Sequence, residues 1–187
     1  MKSAQDIANF FLSHSYDGEM DDITNLKLQK LLYYAQGYSL ALLGRPIFDD
    51  PICAWDHGPV VETVWRSYNQ HRKSTIPSVQ GYNLEGYSTD ELSILNRVAN
   101  DYGQYSPWRL RDMTHNETPW LDTVKNGCIS LHKIKDFFMD KLTKAPPIDD
   151  RQAYNYDVKV MQRALDAERI SVPDFESDEE YLAWLDA

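Results

Sequence analysis

Residues 24–43 read T-N-L-K-L-Q-K-L-L-Y-Y-A-Q-G-Y-S-L-A-L-L. Leu28, Leu31, Leu32, Ala35, Ser39 and Leu42 follow helical spacing, while Leu26, Tyr33, Tyr34, Tyr38, Leu40 and Leu43 occupy the other faces. A helix apolar on nearly every side cannot lie on a surface; it must be a central element enclosed by others. Thr24 or Asn25 supplies its N-cap, and Gly44 followed by Pro46 ends it in the expected order.

The neighbours it needs are legible on both sides. Ser3 with Asp6 opens a first helix carrying Ile7, Phe10 and Phe11. From 47 to 56 the period changes, and Ile52-Cys53-Ala54-Trp55 suggests a short hairpin or a single strand beside a turn. Pro59 reads as the first turn of a third helix, with Val61, Val64, Trp65 and Tyr68 as its stripe. Residues 71–87 are polar and read as a loop. Ser88 with Glu91 is a capping box, with Leu92, Leu95, Val98, Ala99 and Tyr102 behind it. Ser106-Pro107 and Thr118-Pro119 start two shorter helices, and Ser130 opens another with Ile134, Phe137, Phe138 and Leu142 inward. Residues 127–130 suggest one more short strand.

Ala145-Pro146-Pro147 is the best boundary in the chain, because paired prolines stop a helix and stiffen a linker. The expected architecture is mainly α: a compact helical domain, 1–145, around the central helix at about 24–43. It has a small β element at about 47–56 and a second candidate at 127–130. A helical, acidic C-terminal extension, 146–187, follows. The extension ends in a capping box, Ser177-Asp178-Glu179-Glu180, leading into Tyr181, Leu182, Trp184 and Leu185. An acid-rich helix with aromatic anchors fits helix-in-groove recognition, or folds back over its own domain, or docks on a second copy as a homodimer.

Charge narrows the partners. The net charge is −10, and residues 170–187 hold six acids and no base, leaving −4 on residues 1–169. Nucleic acids and anionic membranes need Lys and Arg, so neither is expected as a partner. The sequence contains no run of 18 apolar residues and opens without a signal peptide's apolar core, so the expected location is cytoplasmic. Cys53 and Cys128 lie far apart, form no C-x-x-C and read as free buried thiols.

A search for chemistry finds little. His14, His57, His71, His115 and His132 form no H-E-x-x-H pattern, and no G-x-G-x-x-G, P-loop or G-x-S-x-G occurs. Catalytic, metal and cofactor residues are therefore expected to be none. Asp56-His57 reads as a backbone-bonding turn, since adjacent side chains on extended chain point apart. His115, with Asn116 and Glu117, reads as a loop before a helix start. An enzyme would require His57, His115 and an acid to converge. Lys27 and Lys30, three apart, read as a solvated strip or as a basic patch that docks an acidic surface.

Two blocks taken together resemble one family. The first is residues 24–37, including Asn25, Leu28, Gln29, Tyr33 and Tyr34. The second is Ala54-Trp55 with Gly58-Pro59-Val60-Val61. Gly44-Arg45-Pro46-Ile47-Phe48, Tyr68, Leu110, Thr114-His115, Pro119-Trp120 and residues 134–138 extend the match across about 4–142. The chain resembles the Panacea domain of SocA-like antitoxins and GepA-like phage-associated proteins. Asp56-His57 stands where that family would place a more basic or aromatic pair, so no fixed role passes to His57.

The resemblance implies a bacterial or prophage-encoded antitoxin that neutralises a toxin from a neighbouring gene by direct protein–protein binding, and no enzyme. It also implies two alternatives: an adaptor that delivers the toxin to the ClpXP protease, or a phage-encoded module that binds a host protein. Partner-binding candidates on the residues' own chemistry are Asp178, Glu179, Glu180, Tyr181, Trp184 and Leu185, with Lys27 and Lys30. The family-motif positions are Asn25, Leu28, Gln29, Tyr33, Tyr34, Trp55, His57, Gly58, Pro59, Val60, His115 and Trp120.

Overall fold

A computed structural model describes residues 2–14 and 23–144. The fold there is mainly helical with one small sheet, as the periodicity predicts. Helix α1 (Ala4–His14) starts where the pattern places it: the Ser3 N–H donates to Asp6 Oδ2 at 2.9 Å, and the Asp6 N–H donates to Ser3 Oγ at 3.2 Å. The Ser3 N–H also holds the Asp6 carboxyl below its usual pKa. Helix α2 (Asn25–Leu42) is capped by Thr24, whose hydroxyl accepts the Lys27 N–H, and the chain leaves it through Gly44 at φ 71°.

Helix α2 is the axis of the domain. Fifteen of its residues are buried, and α1, α3, α4, α5 and α7 pack on it. At Gly37 a methyl group would lie 2.3 Å from the Phe138 ring, so this position lets the last helix come close.

The sheet falls partly outside the expected span. Strand β1 (Ile52–Trp55) pairs antiparallel with β2 (Gly58–Val61) in the register Ile52↔Val61 to Trp55↔Gly58. Asp56-His57 is thus the two-residue turn of a hairpin, and Gly58 follows it at φ 98°. Pro59 does not begin a helix; it sits in β2, and helix α3 (Glu62–Tyr68) starts three residues later. The reason is local. Ala54, opposite Pro59, turns its N–H away to Gly127 O at 2.9 Å, so Pro59 faces no ladder bond that needs its missing donor. On the far edge of β1, Cys128 bridges Cys53 and the Ile129 N–H donates to Ile52 O at 2.7 Å, which is the predicted extra strand in short form.

After a 3-10 turn at Asn69–His71, the loop to residue 87 runs back along α1, where the Tyr82 hydroxyl donates to Asp6 O. Helix α4 (Thr89–Tyr102) carries the full Ser88–Glu91 capping box, and Glu91 also pairs with Arg45 at 3.0 Å. Helix α5 (Pro107–His115) is capped by Ser106. The single turn α6 (Thr118–Leu121) is capped one residue earlier than expected, at Glu117, with Pro119 inside its first turn. Helix α7 (Leu131–Lys144) lays Ile134 and Phe138 into the core against Tyr33 and Tyr34.

Candidate functional site

Lys27 and Lys30 form neither a solvated strip nor a docking patch. Their side chains are almost fully buried, at 1% and 0% exposure. The three-residue spacing places both on a helix that has no open side. Each amine then meets a distant backbone carbonyl. Lys27 Nζ donates to Gly103 O at the C-terminus of α4, where a cation satisfies an orphan carbonyl and the helix dipole together. Lys30 Nζ donates to Pro59 O at 2.9 Å, and nothing larger than glycine fits at position 58, where a methyl group would meet that amine at 2.8 Å. Burial, with Arg111 nearby, pulls the Lys30 pKa down to about 7.

The same end of α2 borders an open cleft of about 360 Å³. Asn25, Leu26 and Gln29 reach it from α2; Trp55, His57 and Val60 from the hairpin; Trp65 from α3; and Trp108 from α5. Asn69, Arg72 and Lys73 complete the lining and add positive charge. Polar bonds hold the wall in place. Gln29 Oε1 accepts the Val61 N–H at 2.9 Å, Gln29 Nε2 donates to Asn25 Oδ1 at 3.0 Å, and Asn25 Nδ2 donates to Trp65 O at 3.1 Å. Trp55 and Trp65 meet edge to face at 5.1 Å, and His57 meets Trp108 in the same way at 5.9 Å. Trp108 is 55% exposed, and Arg72 holds a left-handed φ of 52°, uncommon for a non-glycine residue.

On the other side of Trp55 a second, shallower cleft takes in Trp120, Leu121 and the exposed Asp56–Lys125 pair. Trp120 Nε1 donates to Trp55 O at 3.0 Å, and the His115 ring stacks on Trp120 at 3.9 Å. Burial, then Arg111 and Lys30, lower the His115 pKa. Among the described residues, neither His57 nor His115 is hydrogen-bonded to a carboxylate.

Of the predicted motif residues, Asn25, Gln29, Trp55, His57 and Val60 therefore share one cleft. Leu28, Tyr33 and Tyr34 are core, Gly58 and Pro59 shape the hairpin, and His115 and Trp120 stack beside it. Trp65 was legible only as a helix-stripe residue, and no sequence signal marked Trp108 as exposed, since Trp120 also follows a Pro at a helix start yet is half-buried. Asp178, Glu179, Glu180, Tyr181, Trp184 and Leu185 lie outside the described residues. Among the described residues no helix is long and apolar enough to cross a membrane.

Comparison with known proteins agrees with the motif blocks. The profile of the family described as "Antitoxin SocA-like, Panacea domain" matches residues 28–121. The Antitoxin SocA of Caulobacter vibrioides (strain NA1000 / CB15N) is 39% identical over 135 residues, covering 66% of this chain and 71% of that protein. No solved structure matches this chain.

Proposed function

We propose an antitoxin role on one premise: the chain belongs to the Panacea-domain family of SocA-like antitoxins. In the finer reading, this chain neutralises a cognate toxin, encoded by a neighbouring gene, by binding it directly. The observation that carries this reading is the indole-lined cleft, where five of the family-motif residues meet Trp65 and Trp108. Tryptophan is a favoured interface anchor, and an apolar cleft already held open by hydrogen bonds loses little freedom on binding. Arg72 and Lys73 make this lining positive on a chain of net charge −10. The complementary occupant is a toxin segment with an apolar or aromatic side chain flanked by carboxylates. Residues 146–187, with their acids and aromatics, are the second part of the proposal, a further contact that sets partner choice.

Co-expression with the neighbouring gene tests this. The expected result is that the neighbour arrests growth alone, while this chain restores growth and co-purifies at a fixed ratio. Trp108→Ala combined with Trp65→Ala is expected to lose both. Recovery of growth without a stable complex, and only with ClpXP intact, would replace direct binding by adaptor action. A chain truncated at Pro146 that neutralises at full strength would remove the extension from the proposal.

A further inference from the structure

We propose that Cys53 and Cys128 form a reversible intrachain disulfide, a redox-sensitive staple between the hairpin and the segment that leads into α7. The sequence separates these residues by 75 positions, yet their sulfurs lie 3.9 Å apart. The backbone explains why. Cys53 and Cys128 face one another across an antiparallel bridge, flanked by the Ala54 N–H to Gly127 O bond and the Ile129 N–H to Ile52 O bond. That pattern makes them a non-hydrogen-bonded pair, the arrangement in which opposed Cα atoms approach to about 4.5 Å and side chains lie closest. The separation falls within the span a disulfide bridges, so closure needs side-chain rotation and no refolding of the ladder.

The two thiols are unequal. Against the expectation of two buried thiols, Cys128 is exposed, because only an isolated bridge holds it at the outer edge of β1, whereas Cys53 is buried. The entry point is therefore Cys128. Its thiolate attacks one sulfur of oxidised glutathione, forming a mixed disulfide and releasing one glutathione thiolate. Cys53, as thiolate, then attacks the Cys128 sulfur, and the second glutathione leaves. Two protein thiols are oxidised, one glutathione disulfide is reduced to two thiols, and the two thiol protons pass to water and the leaving thiolates. Burial, then the Cys128 contact, hold the Cys53 thiol up to about 11, so this second step is slow near neutral pH. Trp55, two residues beyond Cys53, lines the cleft, so the staple fixes the strand that carries it.

The test uses the full purified chain in glutathione buffers of increasing oxidised fraction, with intact mass, thiol alkylation and thermal unfolding as readouts. The expected result is a monomer that loses two hydrogens, resists alkylation at both cysteines and melts about 5–15 °C higher, all reversed by dithiothreitol. Closure from the mixed disulfide should accelerate as pH rises and the Cys53 thiolate forms. Cys128→Ser, a surface change, should fold normally, show no rise in Tm and retain no glutathione. A stable Cys128–glutathione adduct with Cys53 still free, a Cys128-linked dimer, or a lower Tm on oxidation would each overturn the proposal. None of these readouts involves a toxin, so failure here is distinct from failure of the antitoxin reading.

Discussion

Two aromatic clusters lie at different places along α2, and they use similar side chains for opposite ends. Around the middle and C-terminal half of the helix, Tyr34 stacks on Tyr102 at 3.7 Å, and Phe138 meets Tyr33, Tyr34 and Tyr38 edge-on. Into this cluster Glu117 places a buried carboxylate, which accepts from Lys141 at 2.8 Å and from the Tyr34 hydroxyl at 3.3 Å. The Lys141 amine also lies over the Tyr34 and Phe138 rings. Burial raises the Glu117 pKa while Lys141 opposes it. At the N-terminal end, Trp55, Trp65, Trp108 and His57 line open space. The first cluster closes on itself; the second leaves ring faces for something else. Aromatic content alone does not separate core from interface, but burial does: Tyr33, Tyr34 and Phe138 are fully buried, whereas Trp108 is exposed.

The comparison breaks most visibly at Phe138. Phe138→Ala removes a fully buried ring wedged against Gly37 and should cost about 3–5 kcal/mol, read from urea unfolding. Lys141→Met leaves the Glu117 carboxylate buried without its cation. Because Lys141 is partly exposed, the expected loss is about 2–3 kcal/mol, and Glu117→Gln in the same chain should recover part of it.

Lys30 tests the boundary between the two clusters by pH. Its folded pKa of about 7 lies below the ordinary 10.5, so between those values the unfolded chain binds a proton that the folded chain does not. Stability should therefore rise with pH across that window, by at most about 1.4 kcal/mol per pH unit from this group. Lys30→Met should remove that part of the slope and be relatively most stabilising below pH 7. Equal slopes in the two proteins would show that the amine titrates normally. The smallest change in stability belongs to Trp108→Ala, within about 0.5 kcal/mol, since the indole is already half in water. Under the direct binding proposed above, that same change should weaken toxin binding about 30-fold, measured by titration calorimetry. A large loss of stability there would move Trp108 into the core set and remove the contrast.

Much of the fold was legible along the chain. The Ser3–Asp6, Thr24 and Ser88–Glu91 caps and the Ser106-Pro107 start all formed where the pattern put them. Each is a contact between residues three apart, so the local sequence contains both partners. The site was legible only in outline. Asn25, Gln29, Trp55 and His57 stood out as motif residues, but that they share a wall depends on Gln29 reaching Val61 and Asn25 reaching Trp65, across 32 and 40 positions. The misplaced helix start at Pro59 has the same origin, because a proline that suits a first helical turn also suits an edge strand whose donor side is empty.

The amino-acid pattern by itself determined that α2 is central, because no surface helix can carry apolar side chains all round. It also determined where most helices begin, because caps act within one turn. Only the tertiary structure decided what became of the polar groups on that helix. Lys27 and Lys30 are charged residues that spacing alone leaves in solvent. They are buried because carbonyls 76 and 29 residues away come within reach of their amines. The cost of desolvating a charge is met or not met by partners that chain folding alone brings near.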